Sequence, residues 1–319
     1  MKDSLDNIWE NSFRIINVFK KKTKYFARSW DEQIVYKFLL DYDRERIIEC
    51  MLIFHYNNHN IHDVTIEISN MYNCIVGCKF CASGNLKNTV FILEKEDYIA
   101  QINTCLKACS IDPNKYKNFF ISFYGIGEPS VVFKQISDAI IIIKSKYHHA
   151  RFNIATFGFD INCFGYWEKN VPYIRTLQIP YYSGNIKCLK KLVRNLPDGY
   201  NFIEILKKAL LYKRKYNFCR VKINYIVIWK INDANEDIEK LLKILIPYRK
   251  EICIRISYLN YTKVGEDEGF KSASTKTIQN VYTKISSSGF ECYIFGSENN
   301  IEVGCGQLLQ DYISANIDV

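Results

Sequence analysis

Residues 73–84 read NCIVGCKFCASG, and the three cysteines in that run, Cys74, Cys78 and Cys81, decide how the rest of the chain is read. A step of four residues and then of three lets one short loop turn three thiols inward. Thiolates are the usual protein ligands of iron–sulfur clusters, so the spacing suits one cubane that keeps an iron without a protein ligand, open for chemistry. Asn73, Gly77, Lys79, Ser83 and Gly84 mark the stretch as loop and not core strand. A structural zinc would want four ligands, usually from two paired half-sites. No second pair is found: Cys105 and Cys109 fall four apart on a helical pattern, and His62 lies upstream in a polar loop.

Outward from this loop, β-rich runs alternate with amphipathic ones. Strands are predicted over 64–69, 118–124, 151–156, 174–180, 219–228 and 251–258, rich in Ile, Val, Phe or Tyr. Helices are predicted over 94–109, 131–146, 163–170, 201–216, 235–248 and 274–287, where apolar residues recur at steps of three and four. Six βα units of this kind imply an α/β fold with a parallel sheet, open or closed. Upstream, Leu5, Ile8, Trp9, Phe13, Ile16 and Phe19 fall on one helical stripe over 4–20, and 35–55 reads as a strand hairpin with a polar loop at NNHNIHD. The expected division is therefore an accessory element of helices and a hairpin over 1–60, followed by the α/β unit over 61–319.

In parallel α/β barrels the reactive groups gather where the strands end. The cysteine loop follows the first predicted strand, and YGIGEPS, residues 124–130, follows the second. Its glycines, Gly127 among them, let backbone approach a ligand, and Glu128 is placed to accept from an ammonium group. The same segment also reads as an ordinary turn with a capping carboxylate before a helix.

A chain of 319 residues with 48% hydrophobic content can bury a large core, as one α/β domain with a small appendage. No apolar run nears the roughly 20 residues a bilayer demands, and MKDSLDNIWENS lacks the apolar stretch of a signal peptide, so a cytoplasmic protein with no membrane partner is expected. Most of the 12 cysteines stand singly in apolar segments, as Cys50, Cys219 and Cys253 do, and read as reduced core thiols. The formal charge is +9, from 43 basic and 34 acidic residues. Basic clusters at Lys20, Lys21, Lys22 and Lys24, at Lys187, Lys190, Lys191 and Arg194, and at Lys207, Lys208, Lys213, Arg214 and Lys215 favour a polyanionic partner, nucleic acid first. Lysine-rich faces are also commonly just solvated.

The cysteine spacing, with Phe80 before the third cysteine, resembles the signature of radical S-adenosylmethionine (SAM) enzymes. That resemblance implies a [4Fe-4S] cluster on Cys74, Cys78 and Cys81, with S-adenosyl-L-methionine chelating the fourth iron and yielding a 5′-deoxyadenosyl radical on reductive cleavage. Taken with GIGEP, the Thr156-Phe157-Gly158 turn, YIVIWKIND at 225–233, ISYLN at 256–260 and VGCGQLLQD around Cys305, the chain resembles the RlmN/Cfr family over roughly residues 36 to 319. Members of that family methylate carbon 2 or carbon 8 of an adenosine in RNA, rRNA or tRNA. By this resemblance the fold is a partial (βα)6 radical SAM barrel. Cys305 matches the methyl carrier, Glu49 a proton acceptor, Gly127 and Glu128 the site for the cofactor's methionine amino group, and Asn260 a cofactor contact. An electron donor such as flavodoxin or ferredoxin is implied as a partner.

One departure stands out. The family's second catalytic cysteine, which resolves the covalent adduct, lies seven residues before the first cluster cysteine, where this chain has Glu67. A carboxylate cannot form a disulfide. Cys50 and Cys109 are the candidate thiols for its place. Family serines after the third and fourth strands fall at Ala155 and Pro180, and a histidine at or near Tyr182. The loss of the second cysteine keeps open a radical enzyme acting on a nucleotide, peptide or small metabolite, and a noncatalytic RNA-binding descendant is a further alternative.

Overall fold

The computed structural model describes residues 8–27, 30–43, 46–86, 90–296 and 306–316, except the side chains of 24–27, 30, 31 and 313–316. Cys305 and Leu5 therefore lie outside the described residues. One ten-stranded sheet runs through the molecule in sequence order. Its first four strands, β1 (Arg14–Ala27), β2 (Trp30–Asp41), β3 (Ile47–Asn57) and β4 (Asn60–Ile68), pair antiparallel. From β4 onward the ladder is parallel, through β5 (Asn118–Phe123), β6 (Ala150–Ala155), β7 (Ile174–Tyr181), β8 (Arg220–Val227), β9 (Ile252–Tyr258) and β10 (Glu291–Phe295).

Parallel neighbours need a crossover, and helices supply it: α1 (Lys95–Ala108), α2 (Phe133–Lys146), α3 (Asn162–Asn170), α4 (Ile186–Leu192), α5 (Phe202–Lys215), α6 (Asn235–Leu245), α7 (Lys263–Asp267) and α8 (Thr275–Ser287). A last helix, α9 (Gln307–Asn316), returns to the N-terminal strands. The parallel α/β sheet follows the predicted alternation, and the partial barrel is the one the resemblance implied, with six βα units from β4 to α8 and β10 added at the far edge. Starts are set by local chemistry: Asn201 accepts from the N–H groups of Ile203 and Glu204, Ser274 from that of Thr277, and Glu94 and Asp97 form a reciprocal capping box.

Alternation along each strand divides the sheet into two faces. Val64, Ile66 and Ile68 of β4, Phe119, Ile121 and Phe123 of β5, and Ile252, Ile254 and Ile256 of β9 are buried in the main apolar core that the helices share. The intervening residues, such as Glu67, Ser122, Asn153, Gln178, Asn224, Arg255 and Ser257, form a polar inner face with its own bonds. Asn153 donates to Ser122 at 3.0 Å, Arg255 to Gln178 at 3.0 Å and Ser257 to Asn224 at 2.7 Å.

The N-terminal expectation needs correction. Residues 14–27 are a β-strand, not the continuation of a helical stripe; Ile8 is helical, a turn follows at Trp9 and Glu10, and the part of the stripe before Ile8 lies outside the described residues. The apolar residues at steps of three suited a helix, but β2 offers a long unpaired edge, and β-branched Ile15, Ile16 and Val18 are well suited to fill it. The hairpin over 35–55 turns at 42–46, between β2 and β3; the polar NNHN loop closes the next hairpin, between β3 and β4. Helices α4, α7 and α9 and strand β10 had no counterpart in the sequence reading. No helix among the described residues is long and apolar enough to cross a membrane.

Candidate active site

The cysteine loop leaves the C-terminal end of β4 and is held from three sides. Ser69, the first residue after the strand, donates to the carbonyl of Glu49, and its hydroxyl accepts from the N–H of Ile126 at 3.2 Å. The N–H groups of Asn70 and Met71 both reach the Ile126 carbonyl, at 2.6 and 3.0 Å. This brings the GIGEP loop against the start of the cysteine loop. Gly127 has φ +113°, and a Cβ there would stand 2.8 Å from the Met71 nitrogen, so the contact admits only glycine.

On the second side, the chain leaving α4 lies along the loop: the N–H of Lys79 donates to the Leu192 carbonyl at 2.9 Å, that of Arg194 to Gly77 at 3.1 Å, and Cys78 bridges Val193. Asn85 donates to three carbonyls of the loop, those of Cys78, Lys79 and Cys81, and so fixes its curl. On the third side, Thr262, two residues past Asn260, donates to the Phe80 carbonyl at 3.0 Å. Phe80 itself meets the rings of Tyr182 and Phe270 edge to face.

Cys78 is buried, and Cys74 and Cys81 are half-buried. Burial pushes the thiols of Cys74 and Cys78 up, and the charges of their fellow cysteines and of Glu128 push them further. Thiols pushed up as those of Cys74 and Cys78 are would be relieved by a cationic centre. Three thiols from one loop are the donor set of an iron–sulfur cube with one iron left open, and they are one short of the four ligands a structural zinc takes.

Glu128 is buried behind the loop. One carboxylate oxygen accepts from the Ser130 N–H at 3.0 Å and from the Thr156 hydroxyl, and the other from the Phe157 N–H at 2.9 Å. Burial raises its carboxyl despite those bonds. These bonds hold the carboxylate in one orientation behind the cysteine loop. Asn260 is exposed just beyond β9 and makes no hydrogen bond among the described residues.

Glu49, on β3, lies on the other wall. It is 3% exposed, and its two oxygens accept from the N–H groups of Gly306 and Leu309, both at 2.7 Å, at the start of α9. Lys37, only 1% exposed, pairs with it at 3.3 Å. An anion at a helix N-terminus is favourable, and a buried lysine is tolerated only with a partner. The backbone of Gly306 also packs on the cysteine loop: at φ +76°, a Cβ on it would fall 2.5 Å from the Ser83 hydroxyl. The residue after Cys305 thus touches the residue two places after Cys81.

Glu67 shares the inner face with Lys37, because Lys37, Met51, Glu67 and Ser122 are successive partners across four strands. Burial pushes its carboxyl up to about 7, against the pull of Arg255 and Lys37. The thiols named as substitutes do not share this face. Cys50 points into the helix layer, 3.1 Å from the sulfur of Cys105, and Cys109 ends α1. Sequence reasoning missed Lys37, Ser83, Asn85 and Thr262; a lysine within the apolar run YKFLL was the one signal available.

No protein-family model matches the chain. It is 27% identical to a probable dual-specificity RNA methyltransferase RlmN of Dictyoglomus turgidum, over 87% of this chain and 76% of that protein. A protein of the same name from Oceanobacillus iheyensis is 22% identical over 96% of this chain and 85% of its own length. The crystal structure of a radical SAM methyltransferase from Sphaerobacter thermophilus superposes with a TM-score of 0.71 at 19% identity, covering 93% of this chain and 81% of that one. The fold is that of a radical SAM methyltransferase, and in sequence the chain is a divergent relative of proteins named RlmN.

Proposed function

We propose that the chain is a methyltransferase that modifies an sp2 carbon of adenine in RNA and uses Cys305 as its methyl carrier. The observation that carries this reading is the docking of Gly306 on Ser83 and Glu49, which ties the segment bearing Cys305 to the cysteine loop. The curated relatives, named as RNA methyltransferases, support the substrate class.

In this reading Cys74, Cys78 and Cys81 hold the cluster, while Gly127, Glu128 and Asn260 border the methionine end of S-adenosyl-L-methionine. Bound there, the two cofactors supply reductive cleavage of a sulfonium and the radical chemistry that follows. The chain's own residues do the remaining work. Cys305 takes a methyl group by substitution, its sulfur gaining the carbon as the sulfonium releases it, and the thiol proton goes to solvent. Glu49 seats the carrier segment through its bonds to Gly306 and Leu309 and is the group read as proton acceptor. Glu67 offers no sulfur to resolve an adduct, so release follows another route than disulfide formation at that position. Glu67 also favours the second reading, altered chemistry on a nucleotide, peptide or small metabolite. A reducing cytoplasmic setting and a flavodoxin or ferredoxin donor belong to the same proposal.

The test is mass spectrometry of anaerobically reconstituted protein after incubation with S-adenosyl-L-methionine. A methyl group on the peptide containing Cys305 is expected, together with loss of RNA methylation in Cys305→Ala. An unmodified thiol, or full methylation by Cys305→Ala, overturns the carrier role.

A further inference from the structure

The three basic clusters of the sequence meet different fates in the fold. On β1, Lys22 pairs with Glu32 at 2.7 Å and Lys20 stands over the Tyr36 ring at 5.0 Å. On α5, Arg214 makes a two-pronged contact with Glu251 at 2.8 Å, and Lys215 pairs with Glu168 at 3.6 Å. On α4, by contrast, Lys187, Lys190 and Lys191 are exposed and pair with no carboxylate among the described residues. At spacings of three and four residues they repel one another. The opposite side of α4 is buried through Leu189 and Leu192, and the chain beyond it pairs with the cysteine loop at Cys78 and Lys79, so the lysines are held at the rim of the site.

The rim continues into the loop after β8, which Cys188 of α4 meets at the Ile231 carbonyl, 3.9 Å away. Here Trp229 is 43% exposed. The ammonium groups of Lys230 and Lys271 stand 4.2 and 5.9 Å from its ring, and neither has a carboxylate partner among the described residues. Of the acidic residues close in sequence, Asp233 accepts from the Lys230 N–H, and Glu268 faces Lys79 and Arg194.

We infer that Lys187, Lys190, Lys191, Trp229, Lys230 and Lys271 form a docking surface for a single-stranded segment of RNA, with phosphates on the lysines and a base stacked on Trp229. The inference rests on the RNA reading above and adds to it the face by which the strand approaches. Cationic side chains that track a backbone, with an aromatic platform between them, are the general means of holding single strands. A duplex keeps its base faces stacked and has none to offer an indole. An acidic protein would use the lysines but leave the exposed indole without a role.

Binding of fluorescein-labelled single-stranded oligoadenylate to the reconstituted full chain, titrated at several salt concentrations, tests this. Lys187→Ala/Lys190→Ala/Lys191→Ala is expected to weaken binding and flatten the plot of log affinity against log salt by about 2, at roughly 0.7 for each lost phosphate contact on a single strand. Trp229→Ala is expected to weaken binding about tenfold with the slope unchanged. RNA-independent cleavage of S-adenosyl-L-methionine stays at the wild-type rate in both variants and shows that the site is intact. If the wild type binds and both variants match it in affinity and slope, the surface is elsewhere and this inference fails while the RNA reading stands. If the wild type binds no RNA, the RNA reading fails first. Variants that bind RNA normally but accept electrons poorly from an acidic flavodoxin assign the surface to a protein donor and overturn the inference.

Discussion

The parallel strands β4–β9 and the antiparallel strands β1–β3 belong to one sheet but are stabilised by different means. Each parallel strand presses an aliphatic row, such as Val64, Ile66 and Ile68, into the helix layer and turns short polar residues inward. The antiparallel strands carry their unusual chemistry on the inner face, where Lys37 and Glu49 are buried as a pair and His55 sits between Gln33 and Thr65, 2.8 Å from each. Apolar burial is additive and tolerant of small changes, whereas a buried charge pair stabilises only while both partners remain. The extension is therefore the half more sensitive to single substitutions, although it holds only one of the proposed reactive groups, Glu49.

Replacing Lys37 by Met should show this most strongly. It leaves the Glu49 carboxylate buried with two N–H donors but no cation, for a loss of about 3 kcal/mol, and it should loosen α9, read as a lower denaturation midpoint and faster proteolysis behind Cys305. An unchanged midpoint would mean that the two halves are not joined through this pair. A matching loss of buried methylenes in the parallel half, Ile66→Val, should cost only about 1 kcal/mol.

His55 offers a pH test of the same contrast. Burial holds its imidazolium back, from an ordinary 6.5 to about 4. The neutral ring is favoured in the folded state, so its contribution is fully present above pH 6.5 and is lost as pH falls through about 4. That gap corresponds to about 3 kcal/mol at 1.36 kcal/mol per pH unit. Unfolding free energies of wild type and His55→Gln, compared across that window, should converge as pH falls. Parallel curves would show that the ring titrates normally. The smallest effect belongs to the exposed edge: Lys22→Ala breaks the pair with Glu32 and should change stability by less than about 0.5 kcal/mol, and a larger loss would show that β1 depends on charge at its surface as well.

The parallel half could be read in advance because each of its units signals itself locally. A strand such as 118–123 and a helix such as 133–146 carry periods of two and of 3.6 that neighbouring residues suffice to show. That the three cysteines sit in a loop was equally legible, since the Asn, Gly and Ser that mark it lie in one run of consecutive residues. Strand β1 was not. Its apolar residues fit a helix as well as a strand, and pairing with β2 settled the matter at a distance along the chain that no local period records. Helix α4 was hidden for another reason: its seven residues, IKCLKKL, are too few to display a period.

By itself the sequence determined the loop that carries three thiols and the alternation that builds a parallel sheet around it. Only the tertiary structure brought Glu49 to the start of α9, placed Lys37 beside it, set Gly306 on Ser83 and left the lysines of α4 unpaired at the rim. These contacts join residues as much as 260 positions apart, and their stability depends on burial and on opposite charge, which exist only once the chain has closed.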